Sequence, residues 1–326
     1  MACLRVIATG GTIAYKWDPS QGGAVPALSG QQLIQDVPQL GEIAQVKVHQ
    51  FSNVASQLLG PEDFLRLSKE CHQALSNEGA DGIVITMGTA TLAECAYMLD
   101  LLLQEERPVI VTGAMRTHSH LSPDGPANLL DSGITAVSQE ARGWGVLVCM
   151  NGEIHDPRDV SKTNSVELAT FRSWEYGPVG AVRNDRVVMY RRPLIKEHIP
   201  VQALNARVEI VMAVEGDDGR LLDAAAEFAD GIVVVGFAPG CVPPGMVPAL
   251  QRALDRDRVL VLVTRSYGGT LGMGIYATSE GGVDQLVERG VLPGGSLRAP
   301  KARIKLMLAL SATRDPHQLR SMFTNL

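Results

Sequence analysis

The chain has 326 residues, enough for a sizeable core and for two domains. With 45% hydrophobic residues, 20% charged residues and a net charge of −6, its composition is that of a globular protein with no basic footprint for nucleic acid. Five scattered cysteines (Cys3, Cys71, Cys95, Cys149, Cys241) contain no CxxC pair, which argues against both a disulfide framework and a cysteine metal cluster.

Strand-like and helix-like runs alternate along the chain. The first strand, Leu4–Ala8, starts so near the N-terminus that no signal peptide is expected. No apolar run reaches membrane-spanning length, so a cytoplasmic protein without a membrane partner is expected. Further short apolar or β-branched runs at Gln45–Phe51, Gly82–Thr86, Pro108–Thr112 and Gly145–Met150 predict strands. Helices are predicted over Pro61–Asn77, which opens with Pro-Glu-Asp and ends before Gly79, over Thr91–Gln104 and over Asp124–Ser138. Strand, helix, strand in succession implies crossovers and a parallel sheet. A less regular stretch from about Glu153 to Asn205 includes a hairpin near Val182–Tyr190. Alternation then resumes with strand Arg207–Val214, helix Leu221–Ala229, strand Gly231–Val235, helix Met246–Leu254 and strand Arg258–Val263. Charge together with Pro193 and Pro200 breaks the pattern between them, which divides the chain into an N-terminal domain 1–192, a linker 193–206 and a C-terminal α/β domain 207–326.

The informative positions follow the strands. Thr12 comes after strand and glycines in Thr9-Gly10-Gly11-Thr12, and Thr89 stands likewise in Met87-Gly88-Thr89-Ala90-Thr91. Ser52–Gln57 and Gly113-Ala114-Met115-Arg116 follow two further strands, so all four segments fall at the carboxyl edge of one sheet, where α/β sheets bind ligands. A hydroxyl beside backbone N–H groups is what acyl transfer needs, a nucleophile with a place for the oxyanion. Thr89 has two readings on equal terms, a helix N-cap and a chemical hydroxyl. A threonine nucleophile needs a base. Lys162, in a polar loop at the same edge, becomes one if burial lowers its pKa, although a solvated lysine is the commoner outcome. Gly10-Gly11-Thr12 lacks the Gly-Lys-Ser/Thr of a phosphate loop. His118, His120 and His155-Asp156 are residue types that bind metal, but a two-histidine loop is more often polar surface.

Taken together, these motifs resemble the bacterial L-asparaginase family. The resemblance rests on Ala8-Thr9-Gly10-Gly11-Thr12-Ile13-Ala14, on Met87-Gly88-Thr89-Ala90-Thr91 with Glu94 and Ala96-Tyr97, and on Gly113-Ala114-Met115-Arg116. It continues through Asp124-Gly125-Pro126-Ala127-Asn128-Leu129, Arg158-Asp159-Val160-Ser161-Lys162-Thr163 and Tyr176-Gly177-Pro178. It implies a larger N-terminal domain with a doubly wound, mostly parallel, flavodoxin-like sheet and a smaller C-terminal α/β domain. It also implies a homotetramer, a dimer of dimers with sites at the subunit contact, that takes a small-molecule amide and uses no metal or organic cofactor. By the same resemblance Thr12 is the primary nucleophile on a mobile segment, Thr89 the second threonine, and Lys162 its proton partner. Ser56 and Gln57 would grip the substrate's α-carboxylate, and the backbone of Thr89 with Ala114 would hold the amide. Met87, Gly88, Ala90 and His118 would complete the substrate side. An acyl-enzyme would form at threonine, lose ammonia and be hydrolysed.

The chain departs from the family pattern in one direction. Met87 and Ala90 stand where His and Asp are usual, and that aspartate pairs with the substrate's α-ammonium. The usual lid tyrosine has no counterpart at Gly22-Gly23-Ala24, with Tyr15 the nearest substitute. Gly236-Phe237-Ala238-Pro239-Gly240-Cys241 replaces a segment that offers an asparagine, and Glu280 is the nearest candidate for the partner-subunit carboxylate. A dry ammonium without its counter-charge is costly. The expectation is therefore an amidohydrolase with retained mechanism and a substrate (amide, imide or lactam) lacking a free α-ammonium. The alternatives are a conventional asparaginase and, in another class, a non-catalytic small-molecule binder. A metal hydrolase using His118 and His120 ranks with the last.

Overall fold

The computed structural model describes residues 1–324. The chain divides into two compact units, residues 1–198 and 199–326. In the first unit the strands are β1 (Ala2–Gly10), β2 (Tyr15–Asp18), β3 (Gly23–Pro26), β4 (Ala44–Val54), β5 (Gly82–Thr86), β6 (Val109–Thr112) and β7 (Val146–Met150). They continue with β8 (Glu153–His155), β9 (Val160–Lys162), β10 (Phe171–Ser173), β11 (Gly180–Arg183) and β12 (Arg186–Met189). Its helices are α1 (Gly30–Gln35), α2 (Leu40–Ile43), α3 (Pro61–Ser76), α4 (Leu92–Leu102) and α5 (Gly125–Val137).

Eight strands form one sheet in the order β12-β11-β8-β7-β6-β5-β1-β4. From β4 to β7 all neighbours run parallel, and numbering only those five gives the doubly wound order 2-1-3-4-5 of a flavodoxin-like sheet. The crossovers from β1 and β5 leave in opposite directions along the sheet, so a crevice opens between their carboxyl ends. Every residue of β5, β6 and β7 is buried, the continuous apolar pattern of strands covered on both faces. Helix α3 instead buries one stripe (Phe64, Leu65, Leu67, Ser68, Cys71, Ala74, Leu75), and Asp63 accepts the Gly60 N–H at its start.

The irregular stretch after β7 resolves into short strands. β8, β11 and β12 extend the main sheet in antiparallel fashion, and β9 pairs with β10 in a separate ribbon. β2 and β3 form an antiparallel hairpin of their own directly after Thr12. The hairpin expected near Val182–Tyr190 is β11–β12; the other strands, at three or four residues each, are too short to show a period in the sequence.

The second unit is a four-stranded parallel sheet of β13 (Val208–Met212), β14 (Gly231–Gly236), β15 (Val259–Thr264) and β16 (Leu292–Pro293), in that order. It carries α6 (Arg220–Ala226), α7 (Val247–Asp255), α8 (Val283–Glu288), α9 (Ala299–Ala312) and α10 (Pro316–Thr324), with α9 packed on β13, β14 and β15. Among the described residues no helix is long and apolar enough to cross a membrane.

Candidate active site

The carboxyl ends of β1, β4, β5 and β6 lie at one edge, and glycines let their turns touch. Gly10 and Gly11 have φ of +103° and +80°, a region open to glycine but costly for other residues. Gly11 N donates to Val54 O at 3.0 Å, which ties the end of β1 to β4. A methyl group at Gly11 would overlap the backbone of Gly88. One at Gly88 would lie 2.7 Å from Ser56 Oγ, and one at Gly113 would overlap Met87 O and lie 3.3 Å from Thr89 Cγ2. The four turns are therefore in van der Waals contact only because these positions lack a side chain. Below them, Thr9 Oγ1 donates to Thr86 O at 3.0 Å and Ser52 Oγ to Thr9 O at 2.8 Å, binding the strands together near their tips.

Thr89 is buried, and its Oγ1 lies 2.9 Å from Lys162 Nζ. Lys162 reaches it from β9, a strand held by β10: Lys162 pairs with Phe171, and Thr163 N donates to Thr170 O at 2.8 Å. Burial pushes the Lys162 pKa below that of a free lysine. A charged Lys162 donates to Thr89, and a neutral one accepts the hydroxyl proton, so the pair can activate the oxygen. The N-cap reading of Thr89 does not describe this geometry. The residue preceding α4 is Thr91, and its Oγ1 donates to Ser56 O at 3.1 Å rather than capping the helix.

The other residues named from the sequence are placed differently. Thr12 opens a single 3-10 turn, Thr12–Ala14, half-buried and directly beyond the Gly11–Gly88 contact. Ser56 and Gly88 are buried at the same contact, while Gln57 and Ala90 are exposed. Met87 and Ala114 have no exposed surface, so in this conformation each shapes its turn from within. His118 is not drawn into the Thr89–Lys162 cluster. Its N donates to Tyr15 O at 2.9 Å, and its Nδ1 lies 3.6 Å from Asp36 Oδ2.

Asn128 and Asp124 hold the Gly113–Arg116 turn, a role the sequence reading left out. Asp124 accepts from Met115 N (2.9 Å) and Arg116 N (2.8 Å). Buried Asn128 donates Nδ2 to Gly113 O at 3.0 Å and to Asp124 at 3.1 Å, and accepts from Asn151 N at 2.9 Å. The available signal was an amide one turn inside a helix that opens with Gly-Pro, a place where a polar side chain points back at the preceding strand tips.

The family model for the asparaginase N-terminal domain matches residues 4–195, and that for the glutaminase/asparaginase C-terminal domain matches residues 207–323. The chain is 34% identical to L-asparaginase 2 of Escherichia coli strain K12, over 98% of this chain and 92% of that one. It is 33% identical to the glutaminase-asparaginase of Pseudomonas fluorescens biotype A, over 99% and 90%. A crystal structure of a probable cytoplasmic L-asparaginase from Campylobacter jejuni superposes with a TM-score of 0.89 at 30% identity, over 99% of both chains. Fold and comparisons define a hydrolase of carbon–nitrogen bonds other than peptide bonds. Within that class, the chain belongs to the asparaginase family.

Proposed function

We propose that this protein is a threonine amidohydrolase whose preferred substrate is an amide without a free α-ammonium. The observation that carries the mechanism is the 2.9 Å approach of Lys162 Nζ to the buried Thr89 hydroxyl. Lys162, in the neutral form that burial favours, takes a proton as a threonine oxygen attacks the amide carbon. The tetrahedral oxyanion is met by the backbone N–H of Thr89, with Ala114 beside it. Collapse expels ammonia and leaves an acyl-threonine ester, which water then hydrolyses. Thr12, on the turn against Gly88, is the first nucleophile in this reading, and Thr89 with Lys162 relays its protons. Ser56 and Gln57 receive the substrate carboxylate.

The substrate preference is supported by Ala90, an exposed methyl on the turn that holds Thr89. It offers an ammonium no charge, and it leaves Lys162 without the neighbouring carboxylate that would keep its pKa high. The relatives' names favour a second reading, a conventional L-asparaginase with its counter-charge elsewhere. Catalysis in the cytoplasm, at sites completed by a second copy in a dimer of dimers, belongs to the same proposal. The experiment is ammonia release from L-asparagine, D-asparagine, L-glutamine and succinamate (asparagine without its amino group), with Thr12→Ala as blank. The expected result is a kcat/KM for succinamate at least about tenfold above that for L-asparagine, with Ala90→Asp reversing the order. L-asparagine turned over best by the unmodified protein establishes the second reading. No release above the blank from any of the four removes the second reading and moves the test of the first to larger or cyclic amides, while favouring a non-catalytic binder.

A further inference from the structure

A second group of charges lies behind the Thr89–Lys162 pair and has no part in the chemistry above. Asp100 sits near the end of α4, the helix that follows Thr89. Asp156 opens the loop that leads into β9, which carries Lys162. Lys196, from the segment after β12, reaches both. Its Nζ lies 2.9 and 3.2 Å from the two Asp100 oxygens and 3.2 Å from Asp156 Oδ2. The Asp100 and Asp156 side chains are 9% and 1% exposed. Asp156 is also the fixed point of its own turn. Its Oδ1 accepts from Arg158 N at 2.8 Å, and its carbonyl accepts from Val160 N at 3.1 Å. It thereby sets the direction in which the chain enters β9, and β9 packs on α4.

We propose that Lys196 is a positioning residue: by tying α4 to the loop before β9, it fixes the distance between Thr89, on the turn that precedes α4, and Lys162, in β9. The proposal rests on the functional reading above for its kinetic arm only. The arrangement is a poor way to gain stability. One cation faces two buried carboxylates, and burial, the larger influence, lifts Asp100 to about 7 despite Lys196. Burial opposes the Lys196 charge too, but Asp100 and Asp156 together raise its pKa, so it stays a cation. Tyr97 of α4, Arg158 of the loop and Glu197 beside Lys196 complete the charged and titratable surroundings. What such a bridge supplies is a fixed spacing. Proton transfer needs heavy atoms about 2.6–3.2 Å apart, and a misplacement of about 1 Å costs roughly a hundredfold.

The test uses the full-length protein with Lys196→Met, Lys196→Arg and the paired Asp100→Asn/Lys196→Met. The pair removes the cation and one of its carboxylates together, and serves if the single variant does not fold. Acetic anhydride labelling of Lys162 across pH, read by peptide mass spectrometry, reports the apparent pKa of that amine whether or not the protein turns anything over. In the Met variants this pKa is expected to rise by about half a unit or more towards that of a free lysine, as looser packing lets in water. For the best substrate, kcat is expected to fall at least about tenfold with KM within twofold. Lys196→Arg is expected to bring both readouts back to within threefold and a few tenths of a unit. An unchanged Lys162 profile with only a lower melting temperature makes Lys196 a structural residue and overturns the proposal. If the unmodified protein hydrolyses no amide, the functional reading falls, and the labelling result alone decides the positioning role.

Discussion

The two candidate threonines stand on turns of opposite mechanical character. Thr89 is clamped: its turn touches Gly11, Ser56 and Gly113, its hydroxyl meets Lys162, and a well-buried helix follows it. Thr12 leads into the β2–β3 hairpin, whose tip residues Pro19 to Gly22 are exposed, as is Trp17 at 58%. That hairpin is tethered at few points. Tyr15 O accepts from His118 N, Trp17 N donates to Ser119 Oγ at 2.8 Å, and Ala14 O accepts from Ala27 N and Leu28 N at 3.0 Å. One threonine is therefore held against a lysine, while the other sits at the root of a ribbon with an exposed tip. The contrast suits a reaction in which a rigid relay serves a nucleophile delivered by a closing segment.

The strongest challenge to this contrast is removal of the Lys162 amine. Lys162→Met is expected to lower kcat about a thousandfold, and activity within tenfold of the parent would locate the base elsewhere. The pH dependence follows from the lowered Lys162 pKa. In the proposed mechanism the neutral amine is the working form, so the rate is expected to rise with pH through a value below the 10.5 of a free lysine. For stability the sign is the same. Between the folded and the unfolded pKa the unfolded chain binds more protons, so stability rises with pH across that window. Denaturant midpoints of the parent should climb there, and those of Lys162→Met should lose that component.

Next in size is a steric comparison between the two turns. Gly11→Ala and Gly88→Ala are each expected to cost about 2–4 kcal/mol and at least a hundredfold in activity, because the methyl meets backbone or a buried hydroxyl. Gly22→Ala, in the hairpin at φ +61° with nothing within 4 Å, is expected to cost about 1 kcal/mol, from backbone conformation alone. Equal losses of stability at Gly11 and Gly22 would mean that crowding at the strand tips is not what matters. The smallest effect belongs to the tether. Ser119→Ala removes the exposed hydrogen bond to Trp17 N, worth about 0.5–1 kcal/mol to the docked hairpin. Limited proteolysis within residues 15–26 should accelerate by a fewfold, with the melting temperature unchanged. An unaltered cleavage rate there would mean the hairpin is held by contacts other than this one.

Much of the fold was legible because the residues concerned act locally. Buried strands such as Ile83–Thr86 announce themselves as apolar β-branched runs, and α3 by its start signal and stripe, so the alternation and the edge where four turns converge could be read directly. The limits of the helices and strands read from the sequence moved by at most three residues, the most at the ends of β4 and α6. The short strands β8, β9 and β10 and the β2–β3 hairpin were not legible, since three or four residues carry no period and their pairing is decided by neighbours distant in the chain.

That Thr12 and Thr89 sit at strand tips follows from local sequence alone, because glycine turns after apolar strands reflect steric preferences within a few residues. Whether Thr89 capped a helix or met a base was open at that level. The folded chain puts Thr91 rather than Thr89 at the head of α4 and brings Lys162 across 73 positions to 2.9 Å from the Thr89 hydroxyl, buried enough to lower its pKa. The same holds for Lys196, which meets Asp100 across 96 positions. A proton relay depends on distances of a few tenths of an ångström between elements far apart in the chain, and those are set by packing rather than by local propensity.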